Sequence, residues 1–349
     1  MNRRHSSSSR QSPRGFTLVE LLVTMAIMAI LSAALAYVMA GAQESAQIAK
    51  TKALIARLHS LVMQKYESYR YRRLPVQLPP NLPPRQLVKL RCDVIRELMR
   101  LEMPERWTDV LDAPAMISAR PSCNWAYLAQ LNANLKNFPK DKTIDQGAKC
   151  LYLIVTMGLD EPDVMENFSE TDVAYDPDGS QMKVFVDAWG HPIQFLRWAP
   201  GFASGIQPLA PPTAATKDYR MRDQTDPSGV YGSPKPGPFS AGSGGGRVSG
   251  NTFALYPLIY SAGPDGNWDI VTDAPRSDRS PPFETTGPLS GMFAYSLTNP
   301  PNDPFVSVSD TTHFTDGPIG LPAVEPSAQR GTRAIGDSDN IHNQSIGAR

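Results

Sequence analysis

The sequence is poor in the features that mark the commonest functional classes. Its 349 residues hold only 3 cysteines (Cys92, Cys123, Cys150), too few and too odd in number for a disulfide scaffold. Neither sign of charge is in excess, with Lys+Arg 34 and Asp+Glu 34. Nucleic-acid-binding chains normally carry a clear basic excess, so nucleic acid is not expected as a partner. Charged residues make up 19% and hydrophobic residues 41%, which excludes a wholly disordered chain. There is no P-loop, no G-x-G-x-x-G after a strand, no G-x-S-x-G and no H-E-x-x-H. The 5 histidines form no cluster, and the cysteine spacing fits no zinc pattern. An enzyme is therefore not expected.

Proline is missing from one long stretch and abundant elsewhere. None occurs between Pro13 and Pro75, yet 19 of the 33 prolines follow residue 200. The first fact permits a long helix; the second excludes a mostly helical second half.

The N-terminus carries the strongest signal. Residues 1–15 contain Arg3, Arg4, Arg10 and Arg14 and no acid. Residues 16–40 contain a single charge, Glu20, and the 23 residues from Leu21 to Gln43 are uncharged. As a helix those residues span about 35 Å, enough to cross ~30 Å of hydrocarbon. The arginines in front place the extreme N-terminus in the cytoplasm and the chain after about residue 44 outside. Glu20 is the anomaly, since an acid inside an apolar segment is costly. It either snorkels at the membrane edge or has a partner.

Arg14-Gly15-Phe16-Thr17-Leu18-Val19-Glu20 resembles the type IV prepilin signature. In that family a short basic leader ends in Gly, cleavage exposes an N-methylated Phe, and Glu is the fifth mature residue. The resemblance implies cleavage after Gly15 by prepilin peptidase and methylation at Phe16. It also implies that Glu20 pairs with the amine of a neighbouring subunit. The pairing is physically sound, because a buried charge is tolerable when neutralised by another. A competing reading uses Ala40-Gly41-Ala42 or Ala34-Leu35-Ala36 as signal-peptidase sites releasing a soluble protein. The apolar run exceeds the ~7–15 residues of an ordinary signal core, which favours the anchor.

Apolar residues Ile48, Ile55, Leu58, Val62, Tyr66 and Tyr69 continue at helical spacing. One helix is predicted over 16–73, transmembrane over 16–40 and amphipathic over 44–73. The basic cluster 70–73 reads as a solvated helix end. Pro75 to Pro84 read as a stiff linker. Helices are predicted over 85–110, 124–137 and about 147–158, with Gly158 a candidate stop. The linker and these helices form an insertion over 74–175. Strands are predicted over 182–186, 192–198 and 253–260, with 268–271 a candidate fourth. They belong to a β domain over 176–317 that holds a Gly/Pro/Ser-rich insertion at 201–250. Residues 318–349 read as a disordered tail. An oxidising compartment permits one disulfide among the cysteines, and reduced packing is the alternative.

Two segments extend the resemblance. Phe185-Val186-Asp187-Ala188-Trp189-Gly190-His191-Pro192 is similar to the D-P-W-G-N-P segment of the major pseudopilin of type II secretion. The segment from Tyr260 to Ile270 (YSAGPDGNWDI) is similar to its S-x-G-x-D-G…D-I segment, a loop that binds calcium in that family. Ala188 and His191 depart from the family's Pro and Asn. Asp265, Asp269 and Asp273, spaced by four, are the candidate ligands, since Ca²⁺ takes 6–8 oxygens. A solvated turn is the alternative. Asp176-Pro177-Asp178-Gly179 reads as a turn.

The expected fold is α+β: a long N-terminal helix packed on a small antiparallel sheet, with helical and loop-rich insertions, as in pilins. The resemblance implies a pilin-like subunit of a periplasm-spanning filament. Its implied partners are other pilin-like subunits, prepilin peptidase, an inner-membrane assembly platform and membrane lipid. Its implied location is the inner membrane, single-pass, with the globular part periplasmic. The alternative is a membrane-anchored or secreted binding protein that uses this signal only for export.

Overall fold

The computed structural model describes residues 16–76, 81–114, 116–137, 145–159, 161, 163–199, 202, 204, 206–207, 225, 254–266, 270 and 341–346. The chain divides into two compact units, Met1–Gln47 and Ile48–Arg349.

Helix α1 runs Leu18–Ser68, 51 residues without a break. Its start is capped by Thr17, whose Oγ1 accepts from the Glu20 backbone N–H at 3.2 Å. Thr24, in the apolar part, bonds back to its own helix, its Oγ1 donating to Leu21 O at 2.9 Å, which hides its hydroxyl from an apolar surrounding. Ser45, just beyond that part, does the same, its Oγ donating to Gly41 O at 2.9 Å. The helix ends five residues before the predicted 73 and closes in a tight turn, with Arg70 N–H donating to Glu67 O at 3.2 Å. The side chains explain the early stop. Tyr69 is buried and its hydroxyl donates to Glu102 Oε2 at 2.8 Å, which turns the chain inward.

Beyond Gln47 the predicted apolar face is the core face. Ile55, Leu58 and Val62 are fully buried, Tyr66 and Tyr69 nearly so, and Ile48 packs at the edge. Each such aliphatic chain contributes roughly 1.5–3 kcal/mol by leaving water.

The stretch predicted as one helix over 85–110 is two: α2 Pro84–Glu102 and α3 Trp107–Leu111. Pro104 breaks it. Proline disfavours helical backbone in the residue before it, and Met103 sits at φ −127, ψ 64. Arg120 closes the end of α3, donating to Val110 O at 2.6 Å, Leu111 O at 2.7 Å and Asp112 O at 2.8 Å. Helices α4 Ser122–Asn134 and α5 Gln146–Leu153 follow. A π-turn, Ile154–Gly158, extends α5 to the glycine named as its stop. Any side chain there would have to displace Tyr127, because a Cβ on Gly158 would lie 2.0 Å from its hydroxyl.

Two small antiparallel sheets complete the fold among the described residues. Strands β1 Val173–Tyr175 and β2 Lys183–Phe185 form one. Strands β3 Gln194–Leu196, β4 Leu258–Ser261 and β5 Ile341–His342 form the other, in the order β3-β4-β5. A bridge between Val186 and Pro192 ties the chain between β2 and β3. The architecture is thus α+β, a long helix with small antiparallel sheets. Strand β1 lies just before the predicted start of the β domain at 176.

The expected tail needs a correction at 341–346, which form β5 and the short helix α6 Asn343–Ile346. Their composition is polar, so no apolar run marks them. The Asn343 carboxamide acts as a substitute peptide group. Its Oδ1 accepts from Ile259 N–H at 3.0 Å and its Nδ2 donates to Pro257 O at 2.9 Å. It thus continues the β4 ladder after β5 has ended. The rest of 318–349, most of 201–250, and 268–269 and 271 of the candidate fourth strand lie outside the described residues. The start of the 201–250 insertion is pinned by Gln207, whose Oε1 accepts from Tyr256 N–H at 2.9 Å.

Candidate functional site

The site at the N-terminus is the start of α1. Gly15 lies outside the described residues. Phe16 is 80% exposed and stands two residues before the helix. Glu20 is exposed in the first turn, where the helix dipole favours an acid. Thr17 and Glu20 occupy the Ncap and N3 positions of a capping-box sequence, a signal that motif reading alone overlooks. Leu21, Leu22, Met25, Ile30, Leu31 and Leu35 are all more than half exposed. An 18-residue window in α1 has a mean hydropathy of 2.4 and is 0% buried, long and apolar enough to cross a membrane.

The second candidate site joins the two segments quoted from the globular part. Asp187 is their centre, and it is buried. Its Oδ1 accepts from Trp189 N–H and His191 N–H, each at 2.9 Å, which shapes the turn. Its Oδ2 accepts from Ser261 Oγ at 2.7 Å, which binds this turn to the end of β4. His191 Nδ1 donates to Gly263 O at 3.1 Å, a second link between the same loops. Ala188 N–H donates to Thr51 Oγ1 at 3.1 Å, fastening the turn to α1. Gly266 requires glycine twice over: its φ is 77, and a Cβ would lie 3.1 Å from His191 Nε2. Thr51, Asp187 and Ser261 lie far apart in sequence, so their convergence has no local signal.

Asp265 ends a single turn of 3₁₀ helix, Gly263–Asp265, beside this junction. Asp269 and Asp273 lie outside the described residues. Among the described residues no three His, Cys, Asp or Glu side chains group in metal-binding fashion.

The turn at Asp176 has an internal cation. Lys149 is fully buried, with Nζ 2.6 Å from Asp176 Oδ2 and 2.6 Å from Asp178 Oδ2. Asp178 Oδ1 accepts from Ser180 N–H at 2.7 Å. Burial, then the neighbouring Asp176 carboxylate, pushes the Asp145 carboxyl up to about 6, against the pull of Lys149 and of Gln194, which donates to it at 2.6 Å. Three acids thus share one lysine.

The basic cluster read as a solvated helix end is partly internal. Arg72 pairs with the buried Glu102, which also sits 3.5 Å from Lys65 Nζ. A further buried network holds α3 to β3: Arg197 donates to Asp109 Oδ2 at 3.0 Å, and Glu105 Oε2 accepts from Arg197 N–H at 2.8 Å. Burial works against the Asp109 charge, but Arg197, Arg106 and Arg100 outweigh it and hold the carboxyl below its usual value. None of the three cysteines forms a disulfide; two are buried and one is half-buried. Burial pushes the Cys150 thiol well above its ordinary value, which keeps it protonated and inert.

A family profile described as the prokaryotic N-terminal methylation motif matches residues 10–36. No curated protein and no solved structure matches the chain. The matched residues are the end of the basic leader and the first turns of α1, so the chain carries a type IV pilin-like prepilin signal on a helix suited to membrane anchoring.

Proposed function

We propose that the chain is a type IV pilin-like filament subunit, of the kind found as pseudopilins in type II secretion. Prepilin peptidase cuts after Gly15, and Phe16 is N-methylated. The apolar part of α1 holds the subunit in the inner membrane, with the globular unit in the periplasm. An inner-membrane platform then moves subunits into a filament with other pilin-like chains. The role is assembly rather than catalysis. The observation that carries this reading is the methylation motif over residues 10–36 lying on the start of an exposed apolar helix. Glu20 supports it, because an acid that interrupts an apolar run asks for a partner. In the filament that partner is the Phe16 amine of a neighbour.

The loop after β4 binds Ca²⁺ through Asp265 and the neighbouring Asp269 and Asp273 in this reading. Asp187 and His191 hold one side of that loop, so the ion would stiffen a segment already anchored at its base.

Mass spectrometry of the mature N-terminus from the membrane fraction tests the proposal. N-methylated Phe16 is expected. A start at Tyr37 or Gln43 means signal-peptidase release and ends the filament reading. For calcium, thermal unfolding is measured with and without the ion. A rise of several degrees that Asp265→Ala abolishes is expected; an unchanged curve removes the metal.

A further inference from the structure

The zero net charge conceals a separation. Residues 68–92 hold six cations, Arg70, Arg72, Arg73, Arg85, Lys89 and Arg91, and no acid. Residues 150–182 hold eight acids and no cation.

The structure sorts these groups into internal and outward ones. Arg72 is tied to Glu102. Asp172 is 3.7 Å from Lys50, and Asp176 and Asp178 hold Lys149. Arg70, Arg73, Arg85 and Arg91 are exposed and have no carboxylate partner among the described residues. Asp163, Glu166 and Glu170 are exposed and have no cationic partner there either. Tyr71 is 84% exposed, and the Arg70 guanidinium lies 5.9 Å from its ring.

Their positions along α1 differ. The acidic segment runs antiparallel beside the helix. Lys50 donates to Thr171 at 3.0 Å, Arg57 to Asn167 O at 3.2 Å, and Gln64 to Glu161 at 2.9 Å. The outward acids therefore flank α1 between the levels of residues 50 and 64. The outward cations begin at Arg70, beyond its end. At ~1.5 Å per residue Arg70 lies about 20 Å along the axis from the middle of the acidic row. That exceeds the ~8 Å over which exposed charges act at physiological salt, so Arg70 and these acids do little for each other within one molecule.

We propose that they serve a second copy of this chain. The basic group Arg70, Arg73, Arg85 and Arg91 of one copy docks on the acids Asp163, Glu166 and Glu170 of the next, with Tyr71 as an aromatic anchor. A parallel neighbour displaced along the α1 axis by their offset brings them together. Such a head-to-tail contact uses two different surfaces and does not close on itself, so it repeats into a filament. The contact rests on the filament-subunit reading and adds what orders the globular units outside the membrane.

Charge exchange tests it on the full-length protein in detergent, read by chemical cross-linking of multimers. One variant carries Arg70→Glu, Arg73→Glu and Arg85→Glu; the other carries Asp163→Lys, Glu166→Lys and Glu170→Lys. All six positions are exposed, and thermal unfolding confirms that each variant folds. Each variant alone is expected to need about tenfold more protein for the same cross-linked yield. An equimolar mixture is expected to recover the wild-type yield, because each reversed face meets its complement. The wild-type yield is expected to fall as salt rises. Unchanged yields for both variants, or a mixture that stays weak, overturn the contact. Loss in the basic variant alone, together with wild-type binding to phosphatidylglycerol vesicles, overturns it in favour of lipid. A wild-type chain that forms no multimers at all defeats the filament reading itself, and this contact with it.

Discussion

The two halves of α1 are one helix with two opposite surfaces. From Leu18 to Met39 the large apolar side chains are about half to four-fifths exposed. From Leu54 to Tyr69 the core-facing ones, Leu54, Ile55, Leu58, Val62, Tyr66 and Tyr69, are 4% exposed or less, and Leu61 and Met63 are partly buried. The same kind of residue is thus buried by the chain's own globular unit in one half and left uncovered in the other. Exposed apolar area of that extent is unstable in water. The first half needs lipid or other helices, and its backbone permits this because a helix satisfies its own hydrogen bonds. The lesson is that folding is complete for one half and deferred for the other.

The sharpest way to break this contrast is Glu20→Ala. Removing the one charge in the uncovered half leaves the helix able to enter a membrane. Filament formation is expected to be lost, while membrane retention is kept. Electron microscopy and membrane fractionation check both, and normal filaments from the variant contradict the role given to Glu20.

A second change strikes the unit that covers the other half. Lys149→Met leaves Asp176 and Asp178 without their cation. Breaking a buried pair from one side costs about 3–5 kcal/mol, so a large fall in thermal stability is expected by calorimetry.

A matched pair of substitutions measures the contrast itself. Leu58→Ala is expected to cost about 2–5 kcal/mol, as fully buried leucines do. Leu31→Ala, 62% exposed in wild type, is expected to change stability by less than ~0.5 kcal/mol in detergent. Equal effects would erase the distinction between the halves.

The last effect concerns pH. Asp145 has its carboxyl pushed from 3.8 up to about 6, so the folded state holds that proton more tightly than the unfolded state. The stability this proton supplies is full below the unfolded value and is lost as pH rises through about 6. Asp145→Asn imitates the protonated group, and asparagine accepts the φ of 52 found there. It is expected to add about 3 kcal/mol at pH 7.5 and nearly nothing at pH 3.8. Denaturant titration at both values decides it.

The sequence foretold some of this well and some not at all. Ile55, Leu58, Val62, Tyr66 and Tyr69 announce their face by spacing, because a helix repeats regularly and one side must meet the core. The methylation-motif segment is legible for a similar reason: leader, Gly15, Phe16, Glu20 and the apolar run are contiguous. Pro104 carried the signal for the break after α2, but the apolar period across it masked that signal. Other features had no local trace. Lys149 lies 27 residues from Asp176, and nothing nearby says that its ammonium is buried between carboxylates. Asn343 resembles any polar tail residue until β4 offers it a carbonyl and an N–H.

The sequence alone determined that this chain has a basic leader with a prepilin-type methylation motif, a membrane-length apolar helix and an amphipathic continuation. Those properties follow from composition and period, which act between neighbours. The tertiary structure decided where α1 stops and which arginines face outward. It also decided how Asp187 joins two distant loops and that the end of the chain completes a sheet. These outcomes depend on groups far apart in sequence, whose burial and pairing exist only once the chain has folded.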